Sequence, residues 1–136
     1  MMISTRGRYA LRVLIDLAEH DAGAYLPMKE IAERQGISLK YIERIMPALT
    51  ANGYVEGVHG KGGGYRMKKA PENCRVGDIL RLTEGTLAPV ACLEADARTC
   101  ERCADCRTLP LWEKFNTMTA DYFDSVSIAD LMRKEA

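Results

Sequence analysis

The stretch from Pro27 to Met67 constrains the fold of this chain more than any other. Met28-Lys29-Glu30-Ile31-Ala32-Glu33-Arg34-Gln35 reads as a short helix. Pro27 stands where a missing N–H costs nothing, and Gly36 can take the left-handed conformation that ends a helix. After Ile37, the Ser38 hydroxyl can cap a second helix in which Leu39, Ile42, Ile45, Met46 and Leu49 recur on one face. Lys40, Tyr41, Glu43 and Arg44 fall on the other face. Pro47 lies inside this second helix and predicts a bend there, because it removes a backbone hydrogen bond. Two helices joined by a short glycine turn, the second offering long polar side chains from its N-terminal half, form a helix-turn-helix able to enter a major groove.

The second helix stops at Gly53. Tyr54-Val55-Glu56-Gly57-Val58 alternates as a strand does, His59-Gly60-Lys61-Gly62-Gly63-Gly64 is too rich in glycine for regular structure, and Tyr65-Arg66-Met67 resumes as a strand. A hairpin placed directly after a groove-reading helix is a wing. Elsewhere such a turn is merely flexible, but here its bare backbone with His59 and Lys61, followed by Arg66, Lys68 and Lys69, suits close approach to a sugar-phosphate edge.

The remaining segments read as helices. Ser4 caps a helix to about Glu19, with Tyr9, Ala10, Val13, Leu14, Leu17 and Ala18 as its apolar stripe. Arg6 and Arg8 sit in its first turn, where cations oppose the helix dipole; a nearby phosphate accounts for them, and so does simple solvation. Val76 to Glu84 forms a short helix stopped by Gly85, and the lone Cys74 before it is a packing residue. Leu87 to Ala91 is extended. A long helix then starts near Thr108 with Pro110 in its first turn, carrying Leu111, Trp112, Phe115, Met118, Thr119, Tyr122 and Phe123. That is more aromatic surface than one small domain can bury, which suggests a symmetric dimer helix, since helix-turn-helix proteins read palindromic sites in pairs. Ser127 caps a last helix, Ile128 to Lys134. The fold expected is mainly α with a small β-hairpin: a winged helix-turn-helix over 1–84, a cysteine-rich loop over 85–108, and a dimerisation helix with a terminal helix over 109–136.

Charge and cysteine usage bear on function. The net charge is zero, yet residues 1–81 hold 13 Lys and Arg against 9 Asp and Glu, while residues 82–136 hold 6 against 10. The excess of positive charge lies with the groove reader, as phosphate neutralisation requires. No apolar run is long enough to span a membrane and the start lacks a secretion signal, so a cytoplasmic protein without a membrane partner is expected. In a reducing compartment, Cys92, Cys100, Cys103 and Cys106 call for an explanation other than a disulfide framework. Their spacing suits a four-thiolate zinc site, an iron–sulfur cluster or a thiol redox switch. A thiol oxidoreductase lacks its strand-to-helix motif around Cys100 and Cys103, so no enzyme is expected.

Several stretches in order, Ile3-Ser4-Thr5-Arg6-Gly7-Arg8-Tyr9-Ala10-Leu11, Ile31-Ala32-Glu33-Arg34-Gln35-Gly36-Ile37-Ser38, Tyr41-Ile42-Glu43, Gly62-Gly63-Gly64-Tyr65 and Val76-Gly77-Asp78-Ile79, resemble the bacterial Rrf-two family of winged-helix regulators. The resemblance implies a homodimeric transcription factor on a palindromic double-stranded operator. It puts Ser38, Lys40, Tyr41, Glu43 and Arg44 at the major groove, with Glu43 able to accept from a cytosine amino group. Arg6, His59 and Lys61 would meet backbone or minor groove. Trp112, Phe115, Thr119 and Tyr122 would line the dimer contact.

Counted back from Leu111-Trp112, Cys92, Cys100 and Cys106 match the three cysteines of cluster-binding members. Where one member type has a histidine ligand this chain has Leu109, and where another uses an acidic residue of the partner's first helix it has Arg8. Cys103 is then the candidate fourth ligand of a 2Fe-2S or 4Fe-4S cluster. The alternative is a repressor with zinc or no metal, controlled by thiol oxidation or by a protein partner such as a cysteine-biosynthesis enzyme.

Overall fold

The computed structural model describes residues 3–94 and 105–133. Helix α1 (Thr5–His20) begins where the Ser4 hydroxyl accepts from the Gly7 N–H, and its buried stripe of Ala10, Val13, Leu14 and Leu17 forms the floor of the core. Helix α2 (Met28–Gln35) follows Pro27 and ends at Gly36, whose φ of 63° turns the chain back so that the Ile37 N–H reaches the Ala32 carbonyl. Helix α3 (Leu39–Ala51) starts at Ser38, with the hydroxyl accepting from the Tyr41 N–H at 3.1 Å. It continues through Pro47. The ring is exposed, while Ile45, Met46 and Leu49 on the opposite side stay buried, so core packing holds the helix across the missing hydrogen bond.

Strands β1 (Val55–Val58) and β2 (Gly64–Met67) pair antiparallel in the register Val55 to Met67 and Val58 to Gly64. Helix α4 (Val76–Glu84) packs on α1 and on the long α5 (Leu109–Ser125), and α6 (Ile128–Leu131) returns to α1. Ile128 is fully buried in the same core as Ile31, Ile42 and Ile79. Cys74 is likewise buried, as a packing residue should be. The architecture is therefore mostly helical with one two-stranded wing.

Two boundaries differ from expectation. The chain before the cysteine loop is not extended throughout: Ala91–Leu93 form a 3-10 turn that carries Cys92. Helix α6 stops at Leu131, because Met132 is extended and the Arg133 N–H donates to Glu19 of α1 at 2.5 Å, which draws the chain out of the helix. Lys134 lies outside the described residues.

Helix α5 is fastened to α4 near its C-terminal end. Asp124 accepts from both Arg81 nitrogens at 2.7 and 2.9 Å, and its carboxylate sits against the α-carbon of Gly77, where a Cβ would collide with it. Phe123 and Val126 pack on Val76, Leu80 and Leu87. Along its length, Leu111, Phe115, Met118 and Tyr122 form one exposed stripe, with 45–65% of each residue's surface open. Among the described residues no helix is long and apolar enough to cross a membrane.

Candidate nucleic-acid interface

The groove-facing part of α3 is set by how α2 is held against α1. Asp16, fully buried on α1, receives Arg34 Nε at 3.0 Å, Arg34 Nη2 at 2.8 Å and Gln35 Nε2 at 2.9 Å. Burial pushes the Asp16 carboxyl up, but the hydrogen bonds from Arg34 and Gln35, with the Arg34 charge, outweigh it and hold the group below its ordinary value. Arg12 adds a second fastening, donating to the Gln35 side chain at 3.2 Å and to the Gln35 carbonyl. The C-terminal end of α2 is thus clamped just before the turn that launches α3.

On α3, Ser38, Lys40, Glu43 and Arg44 are exposed. Tyr41 is not free in the same way. It is half-buried, with its ring edge-on to Tyr9 of α1 at 5.2 Å between centroids, so it braces α3 against α1. Leu39, expected on the buried face, is 41% exposed. It lies in the first turn, at the border of the apolar stripe, beyond the reach of the core that covers Ile42, Ile45 and Leu49.

The wing is tied down from beneath. Tyr65 and Leu26 exchange backbone hydrogen bonds at 2.7 and 2.8 Å, an isolated antiparallel bridge that ties the α1–α2 loop to the wing. Gly64, at φ 149°, passes so close to the Leu26 carbonyl that a Cβ would collide with it. Arg66 is not a spare cation for phosphate. It donates to Glu56 across the hairpin at 2.7 Å and to the Gly23 carbonyl at 2.9 Å, and its guanidinium lies 4.4 Å from the centre of the Tyr25 ring. Lys69 rests over Tyr54 at 5.3 Å. His59 and Lys61 project unburied at the tip.

Between α3 and the wing runs an open groove of about 390 Å³ whose lining includes Lys29, Leu39, Glu43, Val58 and His59. The structure therefore brings Glu43 and His59 to one concavity. Ser38, Lys40 and Arg44 lie on α3, and Arg6 is exposed in the first turn of α1. Lys29, Leu39 and Val58 join the groove without a sequence signal of their own, except that Leu39 stands one helical turn before Glu43.

Of the cysteine segment, Cys92 is exposed and Cys106 is half-buried, with its sulfur 3.5 Å from the Thr108 hydroxyl. Cys100 and Cys103 lie outside the described residues, and among the described ones no three His, Cys, Asp or Glu side chains converge. On α5, Phe115 and Tyr122 belong to the exposed stripe, while Trp112 and Thr119 are half-buried on its border.

Comparison with known proteins adds the family context. A family profile described as Rrf2, iron-dependent transcriptional regulator, matches residues 3–134. Protein rrf2 of Nitratidesulfovibrio vulgaris is 37% identical over 98% of this chain and 88% of its own length. Among solved structures, CymR, the global cysteine regulator of B. subtilis, superposes with a TM-score of 0.77 at 30% identity, covering 96% of this chain and 95% of that one. T. potens IscR superposes with a TM-score of 0.74 at 32% identity, covering 96% and 85%.

Proposed function

The chain belongs to the Rrf2 family of transcriptional regulators, and from that premise we propose that it is a homodimer which reads a palindromic operator with α3 and the wing and is controlled through its cysteine loop. The observation that carries the DNA reading is the exposed polar face of α3, Ser38, Lys40, Glu43 and Arg44, set beside a wing whose tip offers His59, Lys61 and bare glycine backbone. In this reading Glu43 accepts from a cytosine amino group and Arg6 contacts the sugar-phosphate backbone. Tyr41 belongs to the same groove-facing set, with its ring braced on Tyr9 of α1. The exposed stripe of α5, with Phe115 and Tyr122 on it and Trp112 and Thr119 at its border, is covered by the same stripe of a second copy.

The controlling group is an iron–sulfur cluster held by Cys92, Cys100, Cys103 and Cys106. Four soft thiolate donors on one short segment suit it, and the family description is iron-dependent. When bound, the cluster supplies a centre sensitive to oxidants and nitric oxide. The chain's own part is mechanical. The segment that carries the thiols leads directly into α5, and Asp124 with Arg81 links α5 to α4 and so to the winged body. Any change in the loop that moves the start of α5 would alter the separation of the two reading heads, provided the two arrangements differ in their contacts with the loop.

A second reading is favoured by the structural likeness to CymR: a repressor with zinc or no metal, governed by thiol oxidation or by a protein partner such as a cysteine-biosynthesis enzyme. The location is the cytoplasm in either case. An absorption spectrum with iron, sulfide and zinc analysis on protein purified without oxygen separates the two. Brown protein with iron and labile sulfide supports the cluster; colourless protein without iron transfers control to the thiols or a partner. Selection of bound duplexes from a random library tests the DNA reading, and the absence of any enriched palindrome would overturn it.

A further inference from the structure

We infer that Leu39 is a base-reading residue that packs against the 5-methyl group of a thymine, an inference that rests on the DNA-binding reading above. An aliphatic side chain in the first turn of α3 is 41% exposed, whereas Ile42 and Ile45 behind it have 0% and 2% of their surface open. That exposure has no use within the described fold, and it falls on the part of a recognition helix that meets base edges. Leu39 and Glu43 are four residues apart, so they lie on one face, one above the other, and both line the groove between α3 and the wing.

The surroundings decide the occupant. Lys29 lines the groove with Leu39, and Lys40, Arg44 and Lys61 are exposed on the helix and wing that form its walls, so cations outnumber the Glu43 carboxylate on these elements. A polyanion with one apolar group at its edge fits that arrangement, and in a major groove the apolar group is the thymine methyl. Side chains four apart on a helix stand about 6 Å from one another and base pairs rise by about 3.4 Å, so the thymine lies one or two steps from the cytosine assigned to Glu43.

Thymine and uracil differ only in that methyl, which makes the test direct. A duplex selected by the full-length protein is resynthesised with uracil replacing each thymine in turn, and affinities are measured by fluorescence anisotropy at fixed salt. The wild type is expected to bind about fourfold more weakly when the thymine near the Glu43-dependent cytosine becomes uracil, the worth of one buried methyl. Leu39→Ala should bind the thymine and uracil duplexes equally, and Leu39→Met should restore the preference. Equal wild-type binding to every uracil duplex would overturn the inference even if Leu39→Ala fails to fold, and so would an undiminished preference in Leu39→Ala. Failure to select any duplex would instead overturn the DNA-binding reading, and this inference with it.

Discussion

Asp16 shows how one residue sets the posture of the reading helix. A carboxylate with no exposed surface persists between Ile15 and Leu17 because Arg34 and Gln35 supply three close hydrogen bonds. Replacing it with asparagine leaves Arg34 with only the longer Glu30 pair among the described residues and should lower stability by about 3 kcal/mol in urea titration, toward the low end for such pairs because Arg34 is partly exposed. The sign of the pH dependence follows from the depressed folded-state value. The Asp16 contribution is fully present above the ordinary carboxylate range near pH 4 and is lost as pH falls through the lower folded-state value. The gap between wild type and Asp16→Asn should therefore be constant above about pH 5 and close below about pH 4. A second residue-scale outcome concerns Gly64, whose φ and proximity to the Leu26 carbonyl exclude any side chain. Gly64→Ala should destabilise the fold by about 1–3 kcal/mol, and by lifting the wing it should weaken operator binding further than that loss of folded protein explains.

Among the elements, most boundaries were legible because caps announce them: Ser4, Ser38 and Ser127 open α1, α3 and α6, and Gly36 and Gly85 close α2 and α4. What local pattern could not show was how far the core reaches. Leu39 fits the apolar period of α3 yet extends past the core, and Tyr41 fits the polar face yet meets Tyr9 from a helix distant in sequence. Arg66 reads as a free cation until cross-strand register puts Glu56 beside it. The helix runs through Pro47, as the apolar period continuing on both sides of it indicates. The stripe of α5 was visible as excess apolar surface, but the register that exposes Leu111 and Met118 alongside Phe115 and Tyr122 depends on Phe123 and Asp124 fixing the helix to α4. Phe115→Glu should consequently give a folded monomer by sedimentation, with the helical circular dichroism of the wild type, because no described residue of α5 is fully buried in its own chain.

At the scale of the whole molecule, charge is divided as the proposed task requires. The positive excess lies over 1–81, the stretch that carries α3 and the wing, and the negative excess over 82–136; operator affinity should fall steeply with salt. The cysteine segment precedes α5 in the chain, and α5 is bolted to the winged body by the Arg81–Asp124 pair, in which hydrogen bonding from Arg81 holds the Asp124 carboxyl below its ordinary value. Control then depends on whether a chemical change at the thiols reaches α3. The most direct measurement is operator affinity for wild type and Cys100→Ala, purified and titrated side by side without oxygen at one salt concentration. The coupling proposed here predicts a difference of about fivefold or more, the usual lower bound for linked sites. Equal affinities, with the cluster present in the wild type and absent from the variant, would contradict it.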